Sequence, residues 1–460
     1  MKTVGKRSLF LYLIAAGFLV GMMWFLIRLI LNGSDWVSQP YNGYLMSGES
    51  YTVAGDILDR NGETLATSKE GARTYALDDL TRKAVLHTVG DTDGYISTSI
   101  QQLYRSELSG YNFFTGLASP TGTSSGNTVT LTIDSTLCQT AYELLGGKKG
   151  AVFLYNYTTG ETLCKVSAPS FDPENVPEDL ESNDYYDGAY LDRTLSSAFT
   201  PGSIFKVVTT ACAIENLPDW ETEEYTCSGS VVIGDNEITC LGEHGTIGIA
   251  EGLKVSCNVV FAELAVQLGA EKMSETAKEL GFNSALTFDG IDLAESVYQV
   301  ERAKSNELAW SGIGQYTDLV NPCHMAMLMG AIANDGTPVE PYVVKKITNA
   351  IGIPVKSGAT KKLSPFLDRQ TARTLQTLLR ANVEEYYGDD LFPGMEVCAK
   401  TGTAQVGEGR EDTAWMIGFS ENNDTPYAFA VVVEEGGFGI SAAAPIASAL
   451  MQALAEAAAS

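Results

Sequence analysis

Residues 9–27, LFLYLIAAGFLVGMMWFLI, form an apolar run without a single charge. A bilayer core offers no water to backbone N–H and C=O groups, so one isolated run can cross it only as an α-helix. At 1.5 Å per residue the run measures about 28 Å, close to the ~30 Å hydrocarbon thickness. Lys2, Lys6 and Arg7 precede it, and Arg28 follows, with a stem long enough to snorkel to the outer interface. The positive-inside rule then places the N-terminus in the cytoplasm and the remainder outside, as a single-pass plasma-membrane protein. The rival reading is a cleaved signal peptide. No small-x-small site follows the run, and Met22, Met23 and Trp24 occupy its end. Residues 1–31 are therefore read as a cytoplasmic stub and an uncleaved anchor.

The rest of the 460-residue chain is long enough for two domains, and 45% hydrophobic residues can fill a large core. The formal charge of −27, from 57 acidic against 30 basic residues, repels phosphate backbones and argues against nucleic acid as a partner. The eight cysteines include no C-x-x-C, so neither a zinc ribbon nor a thioredoxin-like redox motif is expected. Cys227 and Cys240 flank a strand-like stretch, SGSVVIGDNEIT, and either close a hairpin as a disulfide or remain free thiols. The three histidines, His87, His244 and His324, are too scattered in sequence to read as a metal site.

Residues 32 to about 50 are polar and Gly/Pro-punctuated, as in a linker. A small segment of mixed pattern follows and ends in the loop-like SPTGTSSGN. The expected organisation is thus a small segment over residues 32–126 and a larger domain over 127–460, which the resemblance drawn below makes a pedestal and a catalytic domain. In the latter, Thr128–Ile133 alternates like a strand, and Asp134 and Ser135 can cap a helix through Leu145. Gly150–Tyr155, Glu161–Val166, Ala414–Phe419 and Tyr427–Val433 read as further strands, and Ser441–Ala459 as helix. Strands at both ends with helices between imply an α/β domain whose sheet joins sequence-distant strands.

The sharpest chemical signal is Pro201-Gly202-Ser203-Ile204-Phe205-Lys206, followed by an apolar helix-capable run through Ile214. Ser203 falls at a helix N-terminus and Lys206 on the same face one turn later. A serine hydroxyl is a weak nucleophile until a base takes its proton, and a lysine can be that base if burial depresses its pKa. Taken alone, S-x-x-K is frequent by chance and reads equally as an N-capping serine with a solvent-facing lysine. Two further motifs change the weighing: Ser256-Cys257-Asn258 about fifty residues on, and Lys400-Thr401-Gly402-Thr403 much later. Serine β-lactamases and penicillin-binding proteins carry S-x-x-K, S-x-N and K-T-G in this order.

The sequence resembles the class B penicillin-binding proteins over nearly its whole length. Beyond the three motifs, the resemblance rests on VTLTIDSTLCQTA, TTGETLCKVSAPSFDPE, Arg193 in LDRTLSSAFTPGSIFK, His244-Gly245, Ile313-Gly314-Gln315 and Ile332-Ala333-Asn334-Asp335-Gly336. Asp59-Arg60-Asn61-Gly62 resembles the signature opening the family's non-catalytic pedestal, which a plain β-lactamase lacks. Ala54 stands where arginine is usual before Gly55, and Ala399 where glycine is commoner before Lys400.

The resemblance implies the penicillin-binding transpeptidase fold: an antiparallel sheet flanked by helices, a small pedestal and one transmembrane helix. It implies a serine D,D-transpeptidase of cell-wall synthesis, serving cell shape or division, that acts on peptidoglycan stem peptides and is acylated by β-lactams. Ser203 would be the nucleophile and Lys206 its base, with Ser256 relaying a proton to the leaving amine and Asn258 orienting Lys206 and the substrate amide. Backbone N–H groups of Ser203 and Thr403 would stabilise the oxyanion, while Lys400, Thr401 and Thr403 would hold the substrate carboxylate beside Gly402. No cofactor or metal is required. The family also implies a SEDS-family glycosyltransferase as membrane partner. The alternative is a β-lactam-hydrolysing or β-lactam-sensing acyl-serine protein. Hydrolysis needs a positioned base; Glu279 in ELGFN offers an E-x-x-x-N pattern but reads better as a helix end with Gly281 as its cap. A sensor needs a cytoplasmic output domain, and only about eight residues precede the apolar run.

Overall fold

The computed structural model describes residues 2–37, 54–69, 72–109, 126–407, 409–422 and 424–459. The apolar run lies within a helix, Lys2–Val37, whose apolar stretch Ser8–Gly33 covers 26 residues, or about 39 Å. Leu9, Phe10, Phe18 and Trp24 are exposed along it, so among the described residues this apolar surface is not covered by protein. Arg28 folds back over the Trp24 ring at 5.5 Å, its stem covering apolar surface. The helix runs on to Val37, where a linker was expected from residue 32; the remainder of that linker, 38–53, lies outside the described residues. Most of the loop-like SPTGTSSGN, 119–125, also lies outside them.

Strands from residues 54–75 share one sheet with strands from later in the chain. A six-stranded sheet runs in the order Pro354–Ser357, Val344–Thr348, Thr128–Leu131, Ile57–Leu58, Thr64–Lys69, Ala72–Tyr75. Its seam is a parallel pair, Ile57 opposite Val129 and Leu58 opposite Thr130. The Asp59-Arg60-Asn61-Gly62 turn locks that seam. The buried Asp59 carboxylate accepts from the Asn61 and Glu63 N–H groups at 2.8 and 2.9 Å and from the Ser135 hydroxyl at 2.8 Å. Asn61 donates to Asp134, the residue capping helix Ser135–Leu144, at 3.1 Å. Helix Asp79–Val89 is held by Arg82, whose Nε and Nη2 each meet a carboxylate oxygen of Asp172 at 2.7 Å, a bidentate pair.

The second sheet is antiparallel, in the order Val397–Ala404, Thr413–Ser420, Tyr427–Val433, Gly150–Asn156, Thr162–Ala168. Three strands from the C-terminal end and two from the N-terminal end join in it, Tyr427–Val433 lying against Gly150–Asn156, so the sheet unites sequence-distant strands as the sequence pattern implies. Every residue of Thr413–Ser420 is buried. Successive side chains point to opposite faces, so both faces are covered. Helix Pro322–Ala333 and the helices Ser135–Leu144 and Ala444–Ala459 supply the cover. The C-terminal helix, expected unbroken from Ser441, is interrupted at Ala443. A helical lobe of Lys206–Asn216, Ile249–Lys254, Asn258–Leu268, Ala270–Glu279 and Ser305–Gly312 packs beside the sheet's Val397–Ala404 edge. Phe205 stacks on Tyr298 and meets Phe282 edge-on, and Phe282 in turn meets His324 of helix Pro322–Ala333 edge-on.

Candidate active site

Ser203 sits on a 3₁₀ turn, Gly202–Phe205, that leads into helix Lys206–Asn216; the sequence had placed it at the helix start itself. Gly202 has φ +56°, a region that a side chain disfavours, and a Cβ there would lie 2.3 Å from the Thr403 carbonyl oxygen. Gly202 N–H donates to Gly314 O at 2.8 Å, and a Cβ on Gly314 would strike Gly202 O at 2.0 Å. The absence of two side chains therefore lets the turn, the 313–315 loop and the strand Val397–Ala404 close on one another. Trp415 Nε1 fixes the approach by donating to Thr200 O at 3.0 Å.

The helix turns Lys206 back under Ser203. Its Nζ lies 3.0 Å from Ser203 Oγ, 2.6 Å from Ser256 O, 3.1 Å from Ser256 Oγ and 2.8 Å from Asn258 Oδ1. Lys206 is fully buried, and burial pulls its pKa from the usual 10.5 down to about 7, against an opposing pull from Cys240 and Cys257. A neutral amine has two N–H groups and one lone pair. The Ser256 carbonyl and Asn258 Oδ1 are pure acceptors and use both N–H groups. The lone pair is left for the hydroxyls, as a base for Ser203 requires.

Ser256 lies between helices Ile249–Lys254 and Asn258–Leu268 with φ +57°, an uncommon conformation for a residue with a Cβ. It turns the Ser256 carbonyl and hydroxyl onto the same amine. Lys400, also fully buried, donates to Ser256 Oγ at 3.0 Å and to Thr401 O at 2.9 Å. The Ser256 hydroxyl thus bridges two amines. Burial, and then repulsion from Lys206, push the Lys400 pKa well below its usual value.

Among the described residues Val397–Ala404 is an edge strand, paired with Thr413–Ser420 alone. Thr401 N–H points off that edge, because it donates to Tyr387 Oη at 3.2 Å. Ala399 O points the same way, accepting from Asn382 Nδ2 at 3.0 Å. Backbone groups of alternate residues share a side in an antiparallel strand, so Thr403 N–H and C=O also face outward, the carbonyl lying against Gly202 in the turn that carries Ser203. Gly402 lies between, where a Cβ would come 2.8 Å from the Ile204 side chain. Sequence reasoning missed Tyr387 and Asn382. They lie on a π-helical turn, Asn382–Tyr387, that no motif marks, although the Tyr386-Tyr387 pair ahead of Gly388 was a visible irregularity.

All eight expected positions therefore meet: Ser203, Lys206, Ser256, Asn258 and Lys400 through direct contacts, and Thr401, Gly402 and Thr403 along the facing edge. Glu279 closes helix Ala270–Glu279, and Gly281, at φ +94°, follows its cap, as its sequence context suggested. Cys227 and Cys240 do flank a hairpin, Ser230–Ile233 with Asn236–Thr239, but both are free thiols. The fold instead gathers them with His244 and Cys257 directly behind Asn258. The sequence reading, which found no metal site, lacked this cluster; the C-x₃-H spacing of Cys240 and His244 was its one local trace.

A buried basic amine beside one hydroxyl, a second hydroxyl joining two amines, and outward amides opposite form a site suited to acyl transfer through serine. The comparisons agree with that chemistry. The penicillin binding protein transpeptidase domain matches residues 150–452. Peptidoglycan D,D-transpeptidase PbpA of Mycolicibacterium smegmatis is 30% identical over 401 residues, 78% of this chain and 80% of that protein. Penicillin-binding protein A of M. tuberculosis, solved as a ceftriaxone acyl-enzyme complex, superimposes with TM-score 0.78 at 25% identity, covering 88% of this chain and 99% of that one. The D,D-transpeptidase domain of a peptidoglycan glycosyltransferase from Eggerthella lenta gives TM-score 0.76 at 28% identity, covering 89% and 99%.

Proposed function

Because the chain belongs to the penicillin-binding transpeptidase family, as a class B member, we propose that it cross-links peptidoglycan stem peptides through an acyl-enzyme on Ser203. The observation that carries the assignment is the Lys206 amine, 3.0 Å from Ser203 Oγ with both its N–H groups engaged elsewhere.

Ser203 Oγ attacks the carbonyl of the penultimate D-alanine, and its proton passes to the Lys206 lone pair. The Ser203 and Thr403 N–H groups stabilise the oxyanion, each such donor being worth about 3 kcal/mol of barrier. When the tetrahedral intermediate collapses, the C–N bond to the terminal D-alanine breaks. The departing amine takes a proton through Ser256, whose hydroxyl touches both lysines. Asn258 keeps Lys206 in place. The substrate's terminal carboxylate binds Lys400, Thr401 and Thr403, and it supplies the counter-charge that Lys400 lacks in its buried setting. An amine from a neighbouring strand then attacks the ester and regenerates Ser203. A β-lactam enters by the same first step and stays bound as the ester.

The anchor helix supports a single-pass membrane protein, and the basic residues ahead of it support a cytoplasmic N-terminus with residues 32–126 as pedestal and 127–460 as catalytic domain. Family membership supports a SEDS-family glycosyltransferase as partner, reached through anchor and pedestal; co-purification from membranes tests that. The chemistry is tested with a fluorescent penicillin. Wild type should be labelled covalently and Ser203→Ala should not. Label persisting in Ser203→Ala would show the nucleophile to be wrong, and label released within seconds would favour a β-lactam hydrolase.

A further inference from the structure

Three thiols and one imidazole converge behind the active-site loop. Cys227 ends strand Glu224–Cys227, Cys240 follows strand Asn236–Thr239, His244 precedes strand Gly245–Gly248, and Cys257 caps helix Asn258–Leu268. Their ligand atoms all lie within 4.8 Å of one another. Cys240 Sγ is 3.8 Å from Cys257 Sγ, and His244 Nδ1 is 3.6 Å from both Cys227 Sγ and Cys240 Sγ. A disulfide needs about 2.05 Å, so no pair here is bonded. A tetrahedral ion with metal–sulfur bonds of about 2.3 Å and metal–nitrogen bonds of about 2.0 Å sets its sulfurs about 3.8 Å apart and sulfur from nitrogen about 3.5 Å. The observed spacings are those of a ligand shell. Three soft sulfurs and an imidazole, with no carboxylate, select zinc over magnesium or calcium, and four protein ligands leave no position for a reacting water.

We propose that Cys227, Cys240, His244 and Cys257 bind one zinc ion, and that this ion positions the Ser256–Asn258 loop. Cys257 lies between the two active-site residues. Asn258 N–H donates to Cys240 Sγ at 3.3 Å and Asn258 Nδ2 to Thr239 O at 2.9 Å, while Asn258 Oδ1 accepts from Lys206. The ion thereby ties the hairpin and the helix start to the group that orients the base. It also holds Ser256 in its positive-φ conformation from one residue away. The ligands act on the reaction only through that loop, so they are positioning residues. Zinc binding stands apart from the transpeptidase reading; the positioning role rests on it.

The test uses the full-length chain purified in detergent without a metal-affinity step, its zinc measured by mass spectrometry. Wild type should carry about one zinc per chain, Cys227→Ala and His244→Ala none, and His244→Cys one again, since a fourth thiolate completes a tetrahedral site. Cys138→Ala, outside the cluster, should keep its zinc. If the alanine variants do not fold, a mercurial thiol reagent with a chromogenic chelator should release the ion from wild type. Zinc absent from folded, penicillin-labelled wild type, or retained in both alanine variants, overturns the site. For the positioning role, acylation by fluorescent penicillin should fall by up to about 100-fold in Cys227→Ala and return in His244→Cys. Unchanged acylation in zinc-free, folded protein overturns that role. Failure of zinc-replete wild type to label at all would instead overturn the transpeptidase reading.

Discussion

The base assignment makes a quantitative statement about pH. Burial holds Lys206 at about 7, and the groups facing it are Ser203, Ser256, Asn258, Lys400, Phe261, Cys240 and Cys257. At pH 7 about half of such an amine is free base, against roughly 3 in 10,000 for an ordinary lysine, so the reactive fraction is raised roughly 1,500-fold. Between pH 6 and 8 that fraction climbs from about 9% to about 91%, so the acylation rate constant should rise about tenfold and then level off. A lysine of ordinary pKa would give about a hundredfold rise over the same range, with no plateau. Stability carries the same signature. The folded-state pKa lies below the unfolded one, so between pH 7 and 10.5 the unfolded chain binds more protons and stability rises with pH. The contribution is fully present above 10.5 and lost as pH falls through about 7. Relative to Lys206→Met, wild type should gain about 2 kcal/mol between pH 7 and 9. Lys400 is present in both proteins, so apart from its repulsion with Lys206 the difference isolates position 206. Stopped-flow labelling with a fluorescent penicillin, and denaturant unfolding at matched pH, measure the two quantities. A rate flat from pH 6 to 8, with Lys206→Met labelled as fast as wild type, would refute the argument.

Gly202→Ala puts a methyl group 2.3 Å from Thr403 O at φ +56°. Relief on the order of 1 Å should cost about 100-fold in acylation while circular dichroism stays unchanged. Tyr387→Phe keeps the ring but removes the oxygen that accepts Thr401 N–H; a loss of about 1 kcal/mol, seen as an acylation rate about fivefold lower, is expected. Asp59→Ala leaves the Asn61 and Glu63 amides and the Ser135 hydroxyl without their acceptor. It should lower unfolding stability by about 2–3 kcal/mol while labelling per folded molecule stays at the wild-type rate.

Legibility in the sequence followed the range of each interaction. Ser203 and Lys206 are three residues apart on one helical path, so spacing alone aligned them. Tyr427–Val433 was bounded correctly because an unbroken apolar, β-branched run has few other uses in a fully covered sheet. The parallel seam of Ile57–Leu58 on 129–130 could not be read, since two short runs some seventy residues apart carry no local mark of their pairing. Strands on either side of residues 126/127 therefore share one sheet, which no local pattern announces. The thiol cluster was hidden for the same reason. Its ligands come from three strand ends and a helix cap, and only Cys240 and His244 are close in sequence. Residues 32–37 were misjudged because Gly33 and Ser34 weaken a helix by propensity, and the helix continues through them regardless.

The position of Val397–Ala404 in its sheet is the link between topology and chemistry. An edge strand is ordinarily a hazard, because its outward N–H and C=O groups invite another chain. Here Asn382 occupies Ala399 O and Tyr387 occupies Thr401 N–H, so side chains close the first part of the edge. At Thr403 the closure passes to the nucleophile's own turn, brought into contact by the missing side chain of Gly202. Had this strand been interior, a neighbouring strand would have consumed the Thr403 amide, and the oxyanion proposed above would be left with the Ser203 N–H alone. Placing the strand last in the order therefore does what the three motifs alone cannot: it leaves one hydrogen-bonding amide aimed at Ser203, while the sheet behind it, buried on both faces, holds that amide rigid before any substrate arrives.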